Sequence, residues 1–213
     1  MRRLFLVRHA LAESPEGYVG WSDPPLGERG VREARLIGER LSKEVSIKAV
    51  YSSDLSRSVE TAAEVARRAG VRARERKFLR EMRFGEWEGK PHEKLVKEDA
   101  KRYAAWVSDP ERARPPGGET FAELRGRVYR GFEEITNEVD REFGEEVGIA
   151  VVAHGGPLRL IACRLLGMPP ENHWRLALAR SGVTTFEWSA RNGTPSLPVL
   201  RAFNDLSHLG AGA

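Results

Sequence analysis

Cysteine is almost absent from this 213-residue chain: Cys163 stands alone, so no disulfide can close within it. That points to a reducing, intracellular setting. Long apolar runs are absent too. The run behind Met1-Arg2-Arg3 is only Leu4-Phe5-Leu6-Val7, too short for the core of a signal peptide, and nothing later has the length a bilayer requires. The expected location is the cytoplasm, with no membrane partner. No block of a single charge sign occurs either. The net charge is +4, but Glu and Asp are interleaved with Arg, which leaves no basic stripe for nucleic acid. Internal repeats, low-complexity tracts and a clear linker are missing. So are paired aspartates beside a Mg²⁺-type loop and a His-x-x-x-His helix, and no metal or cofactor is expected.

What is present is an ordinary globular composition, 40% hydrophobic and 31% charged. The length suits a single domain over 1–213 that buries a full core without staples. Residues 4–7 read as a strand buried on both faces, and residues 18–30, rich in Gly and Pro, as a loop. Val31, Ala34, Ile37 and Leu41 recur at helical spacing over 28–41. A second strand is expected at 47–51. Ser52-Ser53-Asp54 are good caps for a helix running to 69, where Gly70 is a natural stop. An extended stretch at 71–79 follows, then a helix over 91–107, a Pro/Gly break at 110–118 and a long amphipathic helix over 120–142. Residues 147–153 are the most strand-like in the chain. Pro157 suits the first turn of a helix to about 166, and further strands are expected at 183–188 and 198–202. Alternating strands and helices predict an α/β fold, a three-layer αβα sandwich around a mainly parallel sheet. The segment 84–118 reads as a cap over that sheet.

In open α/β sheets, ligands bind beyond the carboxyl ends of the strands. At those ends the chain places Arg8-His9, then residues 52–57, then Glu81, then His154. Nothing comparable stands at the amino ends. Two imidazoles, two guanidiniums and a carboxylate suit a phosphate monoester. Arginine forks pair with two phosphoryl oxygens at once, and Arg57 would sit in a first helical turn, where the dipole favours an anion. A neutral imidazole can attack phosphorus, a second imidazole can donate to the transition state, and a carboxylic acid can protonate the leaving oxygen.

The blocks Leu6-Val7-Arg8-His9, Tyr51-Ser52-Ser53-Asp54-Leu55-Ser56-Arg57-Ser58-Val59-Glu60-Thr61-Ala62 and Val151-Val152-Ala153-His154-Gly155-Gly156 resemble the signatures of the histidine phosphatase superfamily, in its phosphoglycerate-mutase-like branch. Leu79-Arg80-Glu81-Met82-Arg83-Phe84-Gly85-Glu86-Trp87-Glu88-Gly89 resembles the block that carries that branch's acid. The resemblance covers nearly the whole chain in order. It implies His9 as phosphoacceptor, Arg8, Arg57 and His154 as ligands of the phosphoryl oxygens, Glu81 as proton donor, and no metal. One departure stands out: the usual Arg-His-Gly-Glu-Thr/Ser start is here Arg8-His9-Ala10-Leu11-Ala12-Glu13-Ser14, and the loop reaching Gly20-Trp21 is shortened. The hydroxyl and amide contacts that family members draw from this loop are therefore unassigned, with Ser14 a weak candidate.

The resemblance implies a phosphomonoester hydrolase acting on a small phosphorylated metabolite. The alternatives are a cofactor-dependent phosphoglycerate mutase and, from another class, a phosphate-binding module without turnover. Pro116-Gly117-Gly118-Glu119 and the tail Asn204-Asp205-Leu206-Ser207-His208-Leu209 resemble phosphatases of the α-ribazole type, which makes α-ribazole 5'-phosphate the substrate to test. The oligomeric state stays open, a homodimer being one option. Glu86, Glu88 and Glu119 are alternatives to Glu81. Arg80 and Arg83 read as surface or cap charges, and His92, His173 and His208 as structural or solvent-facing. Trp87, Trp106, Trp174 and Trp188 have core packing as their default, and Cys163 reads as an inert core thiol.

Overall fold

Residues 4–7 form the buried middle of β1 (Arg2–Arg8). Their side chains alternate between two cores, which is why the run is apolar throughout rather than every second residue. Leu4 and Leu6 enter one cluster, Phe5 and Val7 the other. The structure, a computed structural model, describes residues 1–14, 16–143, 147–188, 190–191, 194–195 and 197–210.

After β1 come α1 (Glu28–Glu44), β2 (Ile47–Ser52), α2 (Ser56–Ala69) and β3 (Ala73–Glu75). Two short helices follow, α3 (His92–Glu98) and α4 (Ala100–Ser108), then the long α5 (Phe121–Phe143), β4 (Val147–Ala153) and α6 (Gly155–Leu165). The chain closes with β5 (Val183–Trp188), a ribbon of β6 (Ala190–Arg191) with β7 (Thr194–Pro195), and β8 (Val199–Asp205). The main sheet runs β3-β2-β4-β1-β5-β8. Its β3/β2, β2/β4 and β4/β1 pairings are parallel, whereas β5 runs antiparallel to both β1 and β8. Ile37 and Leu41 of α1 and Val65 of α2 cover the face of Phe5 and Val7. Leu124, Val128 and Ile135 of α5 and Leu158 and Ile161 of α6 cover the face of Leu4 and Leu6. This is an αβα arrangement on a mainly parallel sheet, as the sequence predicts. β1 and β4 lie side by side, yet the helices that follow them, α1 and α6, pack on opposite faces. The crevice such a switch opens beyond the strand ends is where ligands bind.

Several elements differ from expectation. The helix predicted over 91–107 is broken at Asp99 (φ −139°, ψ 37°). There the carboxylate accepts the Trp87 indole N–H (2.9 Å) and the Arg102 Nε–H (2.7 Å). The stretch 71–79 keeps only three strand residues before a 3₁₀ turn over Lys77–Leu79. The predicted caps of α2 are engaged elsewhere: Ser53 faces His154, and Asp54 takes both arms of the Arg80 fork at 2.6 Å. The Ser56 N–H donates instead to Asp23 Oδ1, 33 residues upstream, at 2.6 Å. α5 starts on a capping box in which the Glu123 N–H donates to the Thr120 hydroxyl and the Thr120 N–H to the Glu123 carboxylate.

Candidate active site

β1, α2 and β4 bring the predicted residues to one end of the sheet. Arg8 is the last residue of β1, and the His9 N–H continues the parallel ladder by donating to the Ala153 carbonyl at 2.9 Å. His9 is 6% exposed, and its Nδ1–H donates to the Ala10 carbonyl at 2.7 Å. A carbonyl can only accept, so Nδ1 holds the proton and Nε2 keeps its lone pair. Burial, reinforced by the Arg57 and Arg8 cations, pushes the imidazole down to about 3. His9 is therefore neutral at physiological pH.

His154 stands directly behind it, ring centroids 5.0 Å apart, and is fully buried. The Ser53 hydroxyl and His154 Nε2 are 2.7 Å apart, while the buried Nδ1 has no partner among the described residues. Burial first, then His9 and Arg57, hold this imidazole well below its ordinary value. Arg57, in the first turn of α2, is also fully buried. Its fork donates to the carbonyls of Ser22 and Gly20, each at 2.8 Å. Arg8 donates from one Nη to the Leu178 carbonyl at 2.5 Å and keeps a buried Nε that has no partner among the described residues. Burial lowers both guanidiniums, and Glu81 opposes the effect in each.

Glu81 faces them from the other side. Its carboxylate accepts the Gly156 N–H through both oxygens, each at 3.1 Å, and the Met82 N–H at 2.8 Å. A Cβ on Gly156 would lie 2.3 Å from Glu81 Oε1, so only glycine lets the first turn of α6 approach the acid this closely. The other carboxylates near this block are engaged elsewhere. Glu119 pairs with Arg127 at 2.6 Å, and Glu86 is exposed. Glu88 accepts the Gly20, Trp21 and Ser22 N–H groups and the Ser22 hydroxyl.

Two of these contacts matter for the site although the sequence did not reveal them. Glu88 shapes the loop whose Gly20 and Ser22 carbonyls hold the Arg57 fork. Arg127 of α5, anchored by Glu119, donates to the carbonyls of Phe78, Arg80 and Glu81, each at 2.8 Å, and so fixes the acid's backbone. Neither pairing has a local sequence signal, since each joins distant segments. Trp21 adds a third clamp: its indole N–H donates to the Glu81 carbonyl at 2.9 Å, with the Arg80 and Arg83 guanidiniums over its ring.

Arg8, His9, Arg57 and Glu81 line a cleft of about 80 Å³ together with Ser14 and Arg180; His154 does not line its open volume. Arg180 corrects the expectation that nothing chemical stands at the amino ends of strands. It precedes β5, which runs antiparallel to β1, so its amino end lies beside the carboxyl end of β1. The cleft opens past Arg8 and Glu81 into a pocket of about 270 Å³ lined largely by apolar side chains, among them Tyr18, Met82, Phe84, Trp106 and Phe121. Trp106 packs in the core as expected and also lines this pocket, its buried Nε1–H without a partner among the described residues, whereas Trp174 is exposed at the pocket's edge. Trp87 is a core residue. Of its two expected places His173 takes the structural one: it is buried, stacks on Phe121 with centroids 4.3 Å apart, and also lines this pocket. His92 Nδ1 lies 2.8 Å from the Tyr103 hydroxyl, and His208 is partly buried against Arg40. Cys163 is buried.

Known proteins are similar to this chain over almost its whole length. The profile of the histidine phosphatase superfamily (branch 1) matches residues 4–199. Phosphoserine phosphatase 1 of Hydrogenobacter thermophilus is 31% identical over 99% of this chain and 95% of its own length. The adenosylcobalamin/alpha-ribazole phosphatase of Escherichia coli strain K12 is 34% identical over 95% of each chain. The crystal structure of the alpha-ribazole phosphatase from Shigella flexneri superposes with a TM-score of 0.82 at 30% identity, covering 95% of this chain and 96% of the other. With the family profile matching residues 4–199 and relatives above 30% identity covered almost end to end, the chain belongs to branch 1 of the histidine phosphatase superfamily.

Proposed function

We propose that this phosphoric monoester hydrolase works through a phosphohistidine on His9 Nε2. The observation that carries the reading is the His9–Ala10 hydrogen bond, which leaves a neutral imidazole with its lone pair on Nε2 among Arg8, Arg57 and Glu81. In the first step the Nε2 lone pair forms the N–P bond as the P–O bond to the leaving group breaks. Glu81 gives its proton to the departing oxygen. In the second, Glu81 takes a proton from water, the water oxygen attacks phosphorus, and the N–P bond breaks to release inorganic phosphate. Arg8 and Arg57 bind the equatorial oxygens. With Ser53 donating to Nε2 of His154, its Nδ1–H is the free donor that supports the same charge. The protein's part is positioning and fixed charge, which phosphoryl transfer chiefly needs.

The apolar pocket beyond the cleft supports a leaving group with a sizeable apolar part. That favours an ester such as α-ribazole 5'-phosphate over phosphoserine, and a small phosphate ester rather than nucleic acid or a membrane as the partner. A single buried cysteine and the lack of any described helix able to cross a membrane support a cytoplasmic setting.

The test is hydrolysis of p-nitrophenyl phosphate in excess EDTA by the native chain and by His9→Ala. Activity that survives EDTA and falls at least about 10³-fold in the variant is expected. Substantial turnover by His9→Ala would sink the phosphohistidine, and loss of native activity in EDTA would overturn the metal-free chemistry.

A further inference from the structure

Arg180 stands in the cleft without a partner. It lines the same small volume as His9, Arg8 and Arg57, and among the described residues it makes no hydrogen bond, ion pair or ring contact. Most arginines of this chain do have such partners, for instance Arg74 with Glu142 and Arg40 with Asp205. Arg180 adds its field to that of Arg8 and Arg57 at the mouth of the cleft, which favours an anion there.

The backbone around Arg180 is tied on both sides. The Ala179 N–H donates to Asn204 Oδ1 at 2.7 Å. The Ser181 N–H donates to the His9 carbonyl at 3.2 Å, and the Ser181 hydroxyl to Glu33 at 2.6 Å. Ser181 is held at φ 62°, a left-handed conformation rare for serine, so the loop is set by these contacts rather than by local preference. The Arg8 N–H donates to the Gly182 carbonyl and an Arg8 Nη to the Leu178 carbonyl. The Cα of Arg180 is thus held relative to the nucleophile, and only its side chain is free. Across the cleft, residues 10–26 contain no asparagine or glutamine, so this loop has no amide side chain to offer a phosphoryl oxygen.

We propose that Arg180 is a further phosphoryl-binding residue, reaching from the loop before β5 to an equatorial oxygen of the group held by Arg8 and Arg57. The proposal rests on the phosphatase reading for its place in the reaction. Binding of inorganic phosphate, however, tests it without turnover. A planar fork suits two oxygens of one phosphoryl group and gives the cleft a third guanidinium against a single carboxyl group.

Calorimetric titration with inorganic phosphate at fixed ionic strength should show binding about 10- to 100-fold weaker in Arg180→Gln, the loss expected for a charge-assisted contact. Arg180→Lys should restore it only in part. Because Arg180 is exposed at the mouth of the cleft, thermal unfolding should be unchanged in both variants. In turnover, KM for p-nitrophenyl phosphate should rise with the phosphate inhibition constant. Unchanged phosphate affinity in Arg180→Gln would overturn the proposal. So would full restoration by lysine, which reduces the role to field alone, or an effect confined to esters with a second anion on the leaving group. If His9→Ala proved active, the phosphohistidine reading would fall while the phosphate titration still decided Arg180.

Discussion

The Ala10 carbonyl keeps the His9 proton on Nδ1, and burial beside Arg57 and Arg8 keeps a second proton off until about pH 3. An ordinary histidine nucleophile would lose activity as pH fell through about 6.5. Here the depressed value leaves the neutral form in place between about 6.5 and 3. The expected profile of kcat/KM, corrected for ionisation of the ester itself, has no acid limb near 6.5. Such a limb, removed by no change outside His9, would contradict the assignment. Gly156 offers a second test at this scale. Gly156→Ala forces the Glu81 carboxylate aside, since the new Cβ would stand 2.3 Å from Oε1. kcat should fall by about tenfold or more, and further for alkyl phosphates than for p-nitrophenyl phosphate, whose leaving group needs less protonation. Equal losses for both would mean that Glu81 is not the acid.

Between residue and fold, the helix ends set the site. α2 begins at Ser56 on a carboxylate from Asp23, and the same loop supplies the Gly20 and Ser22 carbonyls that hold Arg57. Asp23→Ala should lower unfolding free energy by about 1 kcal/mol, read from urea denaturation, the usual effect of losing an N-cap. It should also weaken phosphate binding, because Arg57 rides on that first turn. The periodicity of 28–41 and of 120–142 was legible as helix, since both are local patterns. The α3/α4 break at Asp99 was not legible, because what stops the helix is the indole of Trp87, twelve residues away. Ser52-Ser53-Asp54 carried the right composition for a cap and the wrong use: Ser53 and Asp54 are drawn to His154 and Arg80, partners that exist only once the sheet has formed.

For the molecule as a whole, burying neutral imidazoles couples stability to pH. His173 is held at about 4 by burial, against about 6.5 when unfolded. Its contribution is fully present above about 6.5. Between about 6.5 and 4 the unfolded chain binds the proton and the folded one does not, so stability falls as pH falls through that window. His9 and His154 act in the same direction. Replacing His173 with phenylalanine should make the pH slope of unfolding free energy shallower there, by up to about 1.4 kcal/mol per pH unit. An unchanged slope would show that His173 is protonated in the folded protein.

Apolar runs, helical periods and the residues that follow them were enough to establish an αβα protein with Arg8, His9, Arg57, Glu81 and His154 at strand or helix ends. Those properties are local, because a buried strand must be apolar on both faces and a helix must repeat near every 3.6 residues. The direction of β5, and with it the delivery of Arg180 to the mouth of the cleft, depended on the tertiary structure. So did the clamps of Glu88 on the Arg57 loop and of Arg127 on Glu81. Each of these is a pairing between segments far apart in the chain, chosen by which buried donors and acceptors remained to be satisfied after packing.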